Sequence, residues 1–336
     1  MNEIDIQKGK ILSGNPKIEI VKSCMIDDGI IKIETPSFFI NRFEKSKYDF
    51  TFFIPASGSG SRMFQFLYDF LKNPSRSDSG NIELFVQKIK SFAFFSLLPK
   101  NIAESIEKHD FDIAEIIDFI VQDNGLGFGN RPKGLIPFHN FGPFILNPVQ
   151  EHVLQGVDLL NDTPKFHFTV SPQFKQDFIN SIQSLEELIG KKLELELSVQ
   201  DKKTDSIVFD SDLFPLNNEN GDVFKRPSGH GALINNLNQI QEDIIFVKNI
   251  DNVQHYSNAE LSKDEISTIS GVLVYIKEKI QLILELSDVE FSGELSKLNK
   301  KFSLFHEDCL QNKTESELKE LLQRPLRVCG MVKNIG

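Results

Sequence analysis

The sequence predicts an α/β protein with a mostly parallel central sheet, helices on both faces and a helical insertion. Three observations carry that expectation. Phe50-Thr51-Phe52-Phe53-Ile54 is a continuous apolar, β-favouring run of the kind a parallel sheet buries on both faces. It enters a loop containing Gly58 and Gly60, and Arg62 to Leu71 then carries apolar residues at helical spacing. The same alternation of strand and helix recurs downstream, which is the pattern that crossover helices on a parallel sheet produce.

The elements follow in order. Residues 1–49 read as a lead-in, with short mixed segments at Lys17–Val21 and Ile30–Ile33. Residues 50–260 read as the core. Within it, Ile82–Leu98, Ile102–Lys108 and Ile113–Val121 have helical periodicity, interrupted by Pro99 and by His109-Asp110, and form an expected helical insertion over 81–124. Gly125 to Gly129 is a connector into Arg131-Pro132-Lys133-Gly134-Leu135. A helix then starts at Pro148. Phe166–Ser171 reads as a strand, followed by a helix from Pro172 to about Ile189 with Ser171 as its N-cap. Lys192–Gln200 alternates as a strand, Gly221–Gly231 is a loop, Ala232–Gln241 a helix, and Ile244–Ile250 a strand ending at Asp251-Asn252. Residues 261–336 read as a helical segment of the same domain closed by a strand at Leu326–Val332, an ending compatible with a longer natural chain.

Composition narrows the chemistry. With 37 Lys and Arg against 48 Asp and Glu, the net charge of -11 argues against a nucleic-acid groove that must attract phosphates along its length. A small anion held by a few local cations is compatible with it. Cys24, Cys309 and Cys329 have no disulfide or zinc-ligand spacing, which favours a reducing, cytoplasmic setting. No apolar stretch is long enough for a membrane span, and the N-terminus lacks the pattern of a secretory leader. His152 in a helix and His167 in a strand read as structural residues, and His306 with Cys309 is too isolated a pair for a metal site.

The loop Pro55-Ala56-Ser57-Gly58-Ser59-Gly60-Ser61-Arg62-Met63 is the strongest chemical signal. Between a buried strand and a helix, its backbone N–H groups and the positive helix end converge on one point that suits a phosphate. The Gly-Lys-Ser/Thr ending of a P-loop is missing, and so is the three-glycine dinucleotide spacing. Arg62 follows instead, offering a bidentate guanidinium.

This pattern resembles the sugar-nucleotide pyrophosphorylases, whose first strand leads into Gly-x-Gly-Thr-Arg and then to a Pro-Lys-x-Leu motif, matched here by Gly58 to Arg62 and by Pro132-Lys133-Gly134-Leu135. About seventy residues separate the two motifs here, a departure from the family's short spacing. Leu197-Ser198-Val199-Gln200 is similar to the strand that delivers a uracil-reading glutamine, although a strand-end glutamine equally caps a neighbour. Ser228-Gly229-His230-Gly231 resembles a Gly-Asn-Gly ligand loop in which His230 replaces asparagine, and Lys248-Asn249-Ile250-Asp251-Asn252 resembles the strand end whose aspartate binds magnesium. Taken together, the motifs look closest to a bacterial family of unknown function within this superfamily.

The resemblance implies a nucleotide-diphospho-sugar transferase (GT-A-like) fold. It also implies Arg62 and Lys133 as the catalytic cations on a triphosphate, and nucleotide contacts from Ala56, Ser57, Gly58, Ser59, Gly60, Ser61, Gln200, Gly229, His230 and Gly231. Asp251 would hold Mg²⁺. The reaction it implies is uridylyl transfer from UTP to a sugar 1-phosphate with release of pyrophosphate. Two other readings are a glycosyltransferase of related fold, for which Asp251-Asn252-Val253 supplies only one of the two carboxylates of an Asp-x-Asp pair, and a nucleotide-sugar-binding protein without turnover.

Overall fold

The computed structural model describes residues 2–14, 23–74, 79–160 and 164–332, with the side chains of Ser79, His230, Asp288, Val289, Glu307 and Asp308 outside that description. The chain forms two compact units, one of Met1–Asn15 and Tyr48–Ser257, the other of Pro16–Lys47 and Asn258–Gly336. The lead-in of the sequence reading is therefore divided between them. Residues 258–336 group with 16–47, whereas the sequence reading joined 261–336 to the core. The expected segment at Lys17–Val21 lies outside the described residues.

The first unit is built on four strands, β1 (Phe50–Pro55), β2 (Lys165–Thr169), β3 (Glu194–Ser198) and β4 (Ile244–Val247), all parallel in the order β4-β1-β2-β3. Its register pairs Phe53 with Val247 and with His167, and Thr169 with Ser198. β1 is buried almost throughout, as its apolar run requires. On one face Phe52 stacks between Phe166 (5.1 Å) and Phe246 (4.7 Å). A Cβ on Gly156 would lie 2.7 Å from the Phe166 ring, so only glycine lets its helix approach this aromatic row.

That helix is α7 (Pro148–Leu160). It follows α1 (Glu3–Ser13), α2 (Pro36–Glu44), α3 (Gln65–Lys72), α4 (Ser79–Lys88), α5 (Lys100–Lys108) and α6 (Ile113–Val121), and precedes α8 (Lys175–Ile189) and the one-turn α9 (Ile234–Leu237). On the opposite face of the sheet, Asn236 of α9 donates to Ser198 Oγ at 2.8 Å, and His167 shares that hydroxyl at 2.6 Å.

The insertion consists of α4, two 3-10 turns, α5 and α6, close to its expected bounds. Phe64 and Leu67 pack against Phe85, Phe94, Ile106, Ile117, Ile120 and Phe128 in one apolar cluster. Periodicity placed the helices but carried the first too far. Ile82–Leu98 divides at Ile89 into 3-10 turns, where Phe92 and Phe94 stack at 5.2 Å.

The second unit is helical: α2, α10 (Ala259–Leu284), α11 (Asp288–Phe302), α12 (Glu307–Asn312) and α13 (Glu315–Leu322) enclose Phe39, Val272, Ile276, Phe291 and Leu295. Gly271 lies against the α2 backbone, since a Cβ there would fall 1.9 Å from Phe39 O. Arg42 pairs with Glu278 and lies over the Tyr275 ring. A capping box of Thr314 and Glu317 opens α13. The strand expected at Leu326–Val332 is not formed: these residues are neither helix nor strand. β-Branched content alone does not make a strand where no partner edge is offered.

Candidate functional site

In the order β4-β1-β2-β3 the chain leaves β1 on one side to reach β2 and returns on the other side as β4. The carboxyl ends of β1 and β4 therefore flank a topological switch point, the place where open parallel sheets bind ligands. The two strongest motifs of the sequence follow these two strands. Residues 56–64 leave β1 and residues 248–252 leave β4, with Lys248 N–H still bonded to Phe53 O at 3.2 Å.

The long gap before Lys133 closes in space. After α6 the chain turns through Gly127 in the left-handed region, and Phe128 and Gly129 bond back to Ile120 and Val121. The next residues pair with the glycine loop: Gly60 N–H donates to Arg131 O (2.9 Å) and Lys133 N–H to Gly58 O (3.0 Å), flanking a Ser59–Pro132 bridge. The insertion is thus an excursion whose exit returns to its entrance. From this position Lys133 Nζ reaches Asp251 Oδ2 at 2.6 Å.

The two glycines of the loop have different reasons to be glycine. A Cβ on Gly60 would lie 2.7 Å from Ile136 Cδ1 and 3.1 Å from Phe128 O, so the returning segment crowds any side chain placed there. Gly58 is exposed, does not adopt a left-handed φ, and would meet nothing within 4 Å. Internal packing does not require it. Among the described residues, the N–H groups of Ser57, Gly58, Ser59, Ser61 and Arg62 make no backbone hydrogen bond, a set of donors suited to an anion. Ser171, expected as an N-cap, makes no cap bond; its hydroxyl donates to Ser57 O at 3.0 Å and fastens the end of β2 to the loop. Ser59 and Ser61 share a hydrogen bond at 2.8 Å. Arg62 is exposed and forms no ion pair among the described residues.

The Asp251 turn is held from beneath by α7. His152, 1% exposed, lies with Nε2 at 3.1 Å from Asn249 O and 3.2 Å from Ile250 O, so Nε2 carries the proton and donates to both carbonyls. Its Nδ1 is buried without a hydrogen-bond partner. Burial, reinforced by the nearby Lys248 charge, lowers the imidazole to about 3 and keeps it neutral. Lys248 donates to Gln155 Oε1 at 3.0 Å, and burial lowers its ammonium to about 8. Gln155 Nε2 reaches Gln254 O. Sequence reasoning set His152 aside as structural. It is structural, yet what it holds is the turn carrying Asp251, and a lone buried histidine carries no sequence signal for that.

Sequence reasoning also missed a second cluster. His139 Nδ1 lies 2.8 Å from both Glu151 oxygens, and the His255 ring stands edge-on to His139 with centroids 5.6 Å apart. These residues lie in unrelated stretches of sequence and match no motif.

Gln200 and Ser228 lie elsewhere, beyond the end of β3, each bonded to the 204–206 turn. Gln200 Nε2 donates to Asp205 Oδ1 at 3.1 Å, while Ser228 Oγ donates to Thr204 O at 2.5 Å and bonds Ser206 Oγ at 2.6 Å. A Cβ on Gly229 or Gly231 would meet nothing within 4 Å. The His230 side chain lies outside the described residues. Ala56 is buried, its N–H bonded to Thr169 O, so it builds the loop from below.

Asp251, paired with Lys133, is a carboxylate that could also hold a cation here, and no cluster of three or more His, Cys, Asp or Glu suited to a metal occurs among the described residues. That donor set fits Mg²⁺ only in the manner usual for triphosphate sites, one carboxylate with substrate oxygens and water completing the shell. No curated protein and no solved structure matches the chain. A family model does match it, over residues 1–336, and the chain belongs to that family, described as a domain of unknown function (DUF4301).

Proposed function

We propose that the protein is a nucleotidyltransferase of GT-A-like fold that joins UTP to a sugar 1-phosphate and releases pyrophosphate, in a reducing cytoplasmic setting. The observation that carries this reading is the convergence of three separated motifs on one point. The glycine loop, Lys133 and Asp251 lie together at the switch point of the parallel sheet, with Lys133 bonded by its backbone to Gly58 and by its side chain to Asp251. The motif resemblance supports the choice of reaction.

In this reading the N–H groups of Ser57, Gly58, Ser59, Ser61 and Arg62 and the Arg62 guanidinium receive the triphosphate. Lys133 moves from Asp251 to the phosphates, exchanging one anionic partner for another. Asp251 would hold Mg²⁺, which when bound neutralises developing charge on the phosphates. The acceptor oxygen attacks the α-phosphorus in line, so the chain's contribution is positioning and charge neutralisation rather than a covalent intermediate. Gln200, Gly229, His230 and Gly231 form the base and sugar side of the same reading.

The test is pyrophosphate release across a panel of nucleoside triphosphates and sugar 1-phosphates with Mg²⁺. Release that is greatest with UTP and lost in Lys133→Ala supports the proposal. Silence across the panel with no triphosphate binding overturns it, whereas Mg²⁺-dependent UTP binding without release identifies a nucleotide-binding protein that does not turn over.

A further inference from the structure

Two segments of the first unit run alongside each other above α7, one over residues 133–141 and the other over 251–256. Contacts join them at three points. Lys133 meets Asp251 at 2.6 Å, the His139 and His255 rings meet at 5.6 Å with His255 Nε2 donating to Asn140 O at 3.0 Å, and Phe141 meets Tyr256 edge-to-face at 4.7 Å. The first contact belongs to the triphosphate reading. The second has no role in it.

The chemistry of the second contact is that of a carboxylate–imidazole dyad. Glu151 is 5% exposed, on the helix position next to His152, and both its oxygens lie 2.8 Å from His139 Nδ1. Burial raises the Glu151 carboxyl, while the His139 hydrogen bond and charge and the more distant His255 oppose that rise. A carboxylate accepting from Nδ1–H fixes the tautomer and leaves Nε2 with a lone pair. That nitrogen makes no hydrogen bond among the described residues, and the His139 side chain is 30% exposed. Both nitrogens of His255 are in use, Nε2 on Asn140 O and Nδ1 at 2.9 Å from Ser257 Oγ, so His255 braces the dyad without competing for its proton. The groups facing His139 are thus Glu151 from α7 and His255 from the neighbouring segment.

We propose that His139 Nε2 is the proton acceptor for the second substrate, so that the acceptor's attacking oxygen arrives as an O–H group, either a hydroxyl or a singly ionised phosphate monoester. The proposal rests on the nucleotidyl-transfer reading and deepens it. In the step, the O–H proton passes to Nε2 as the oxygen bonds to the α-phosphorus; the bond from that phosphorus to the bridging oxygen breaks, and its electron pair leaves with pyrophosphate. Solvent then takes the proton from the imidazolium. A base in such a position contributes on the order of 10²- to 10⁴-fold.

The experiment measures pyrophosphate release against pH for wild type, His139→Gln and Glu151→Gln, with UTP, Mg²⁺ and either a sugar 1-phosphate or the corresponding free sugar, alongside thermal-shift titration with Mg·UTP. The proposal expects His139→Gln to keep the wild-type UTP shift while kcat falls at least 100-fold and the acidic limb of the profile disappears. Glu151→Gln, which can still accept from Nδ1–H but lacks the charge, should move that limb to lower pH, a change that a purely structural role would not produce. The better of the two acceptors identifies the source of the O–H. Wild-type release that His139→Gln retains with an unaltered profile overturns this inference and leaves the nucleotidyl-transfer reading intact. Silence of the wild type overturns both. If His139→Gln fails to fold, the Glu151→Gln limb decides alone: a shift supports the dyad and an unmoved limb contradicts it.

Discussion

The two ends of the strand-end surface are built differently. At the β1–β4 end, the glycine loop and the 131–136 segment are bonded through backbone groups, Lys133 ties them to the Asp251 turn through its side chain, and a buried imidazole holds that turn from below. At the β3 end, the Gln200 and Ser228 side chains are, among the described residues, tied to the local 204–206 turn, and Gly229 and Gly231 border open space. The contrast teaches that one end is organised before any ligand arrives, while the other has its polar groups engaged with local partners. Binding energy spent on reorganisation is not available for affinity, so the first end should dominate recognition and the second should tune it.

The sharpest way to break this contrast is to remove the charges at the organised end. Lys133→Ala and Asp251→Ala should each lower pyrophosphate release by roughly 10²- to 10³-fold, as loss of a charge-stabilising group typically does. A steady-state assay that finds either variant within a few-fold of wild type would remove the pair from the site.

A second test separates the two loop glycines. Gly60→Ala places a Cβ against Ile136 Cδ1 and Phe128 O and should destabilise the fold by about 1–3 kcal/mol, visible in urea unfolding. Gly58→Ala meets no neighbour and should leave unfolding unchanged while weakening Mg·UTP binding in calorimetry. Equal effects of the two on stability, or normal UTP binding by Gly58→Ala, would contradict the assignment of Gly58 to a ligand.

The buried imidazole supplies a pH test. The folded value of His152, about 3, lies below the ordinary value of 6.5, so between these pH values the unfolded chain binds a proton that the folded chain refuses. Its contribution is therefore present above pH 6.5 and is lost as pH falls toward 3. Thermal midpoints of wild type should drop over that window more steeply than those of His152→Gln; parallel curves would mean that His152 is not held neutral. Lys248 acts over a different range: with a folded value of about 8 against 10.5, burial of its charge costs stability below pH 8, and the cost is relieved as pH rises toward 10.5.

The smallest effect belongs to the other end of the surface. Gln200→Ala should cost about 1 kcal/mol or less, the worth of its hydrogen bond to Asp205, and should alter the ratio of UTP to other triphosphates more than the overall rate. A rate loss equal to that of Lys133→Ala would show that the β3 end is as decisive as the β1–β4 end.

Much of the first unit was legible because its signals are local. Phe50–Ile54 is apolar on both faces and became the buried β1, and the strand-helix alternation placed β2, β3 and β4. The loop and Asp251 could be found because each follows a buried strand. Lys133 was recognised by its motif but appeared too far from Arg62, since periodicity identifies the helices of an insertion without revealing that its exit pairs with its entrance. His139, Glu151 and His255 had no signature at all, because their relation exists only after α7 brings them together. Leu326–Val332 failed in the opposite sense, with β-favouring residues but no ladder to join.

The central claim is that the glycine loop, Lys133 and Asp251 form a triphosphate site. Isothermal titration of the wild-type chain and of Asp251→Ala with UTP, each with and without Mg²⁺, tests it most directly. The account predicts binding to wild type that requires Mg²⁺ and binding to Asp251→Ala that no longer responds to the metal. Absence of triphosphate binding to wild type under either condition, or identical metal dependence in the two proteins, would contradict it.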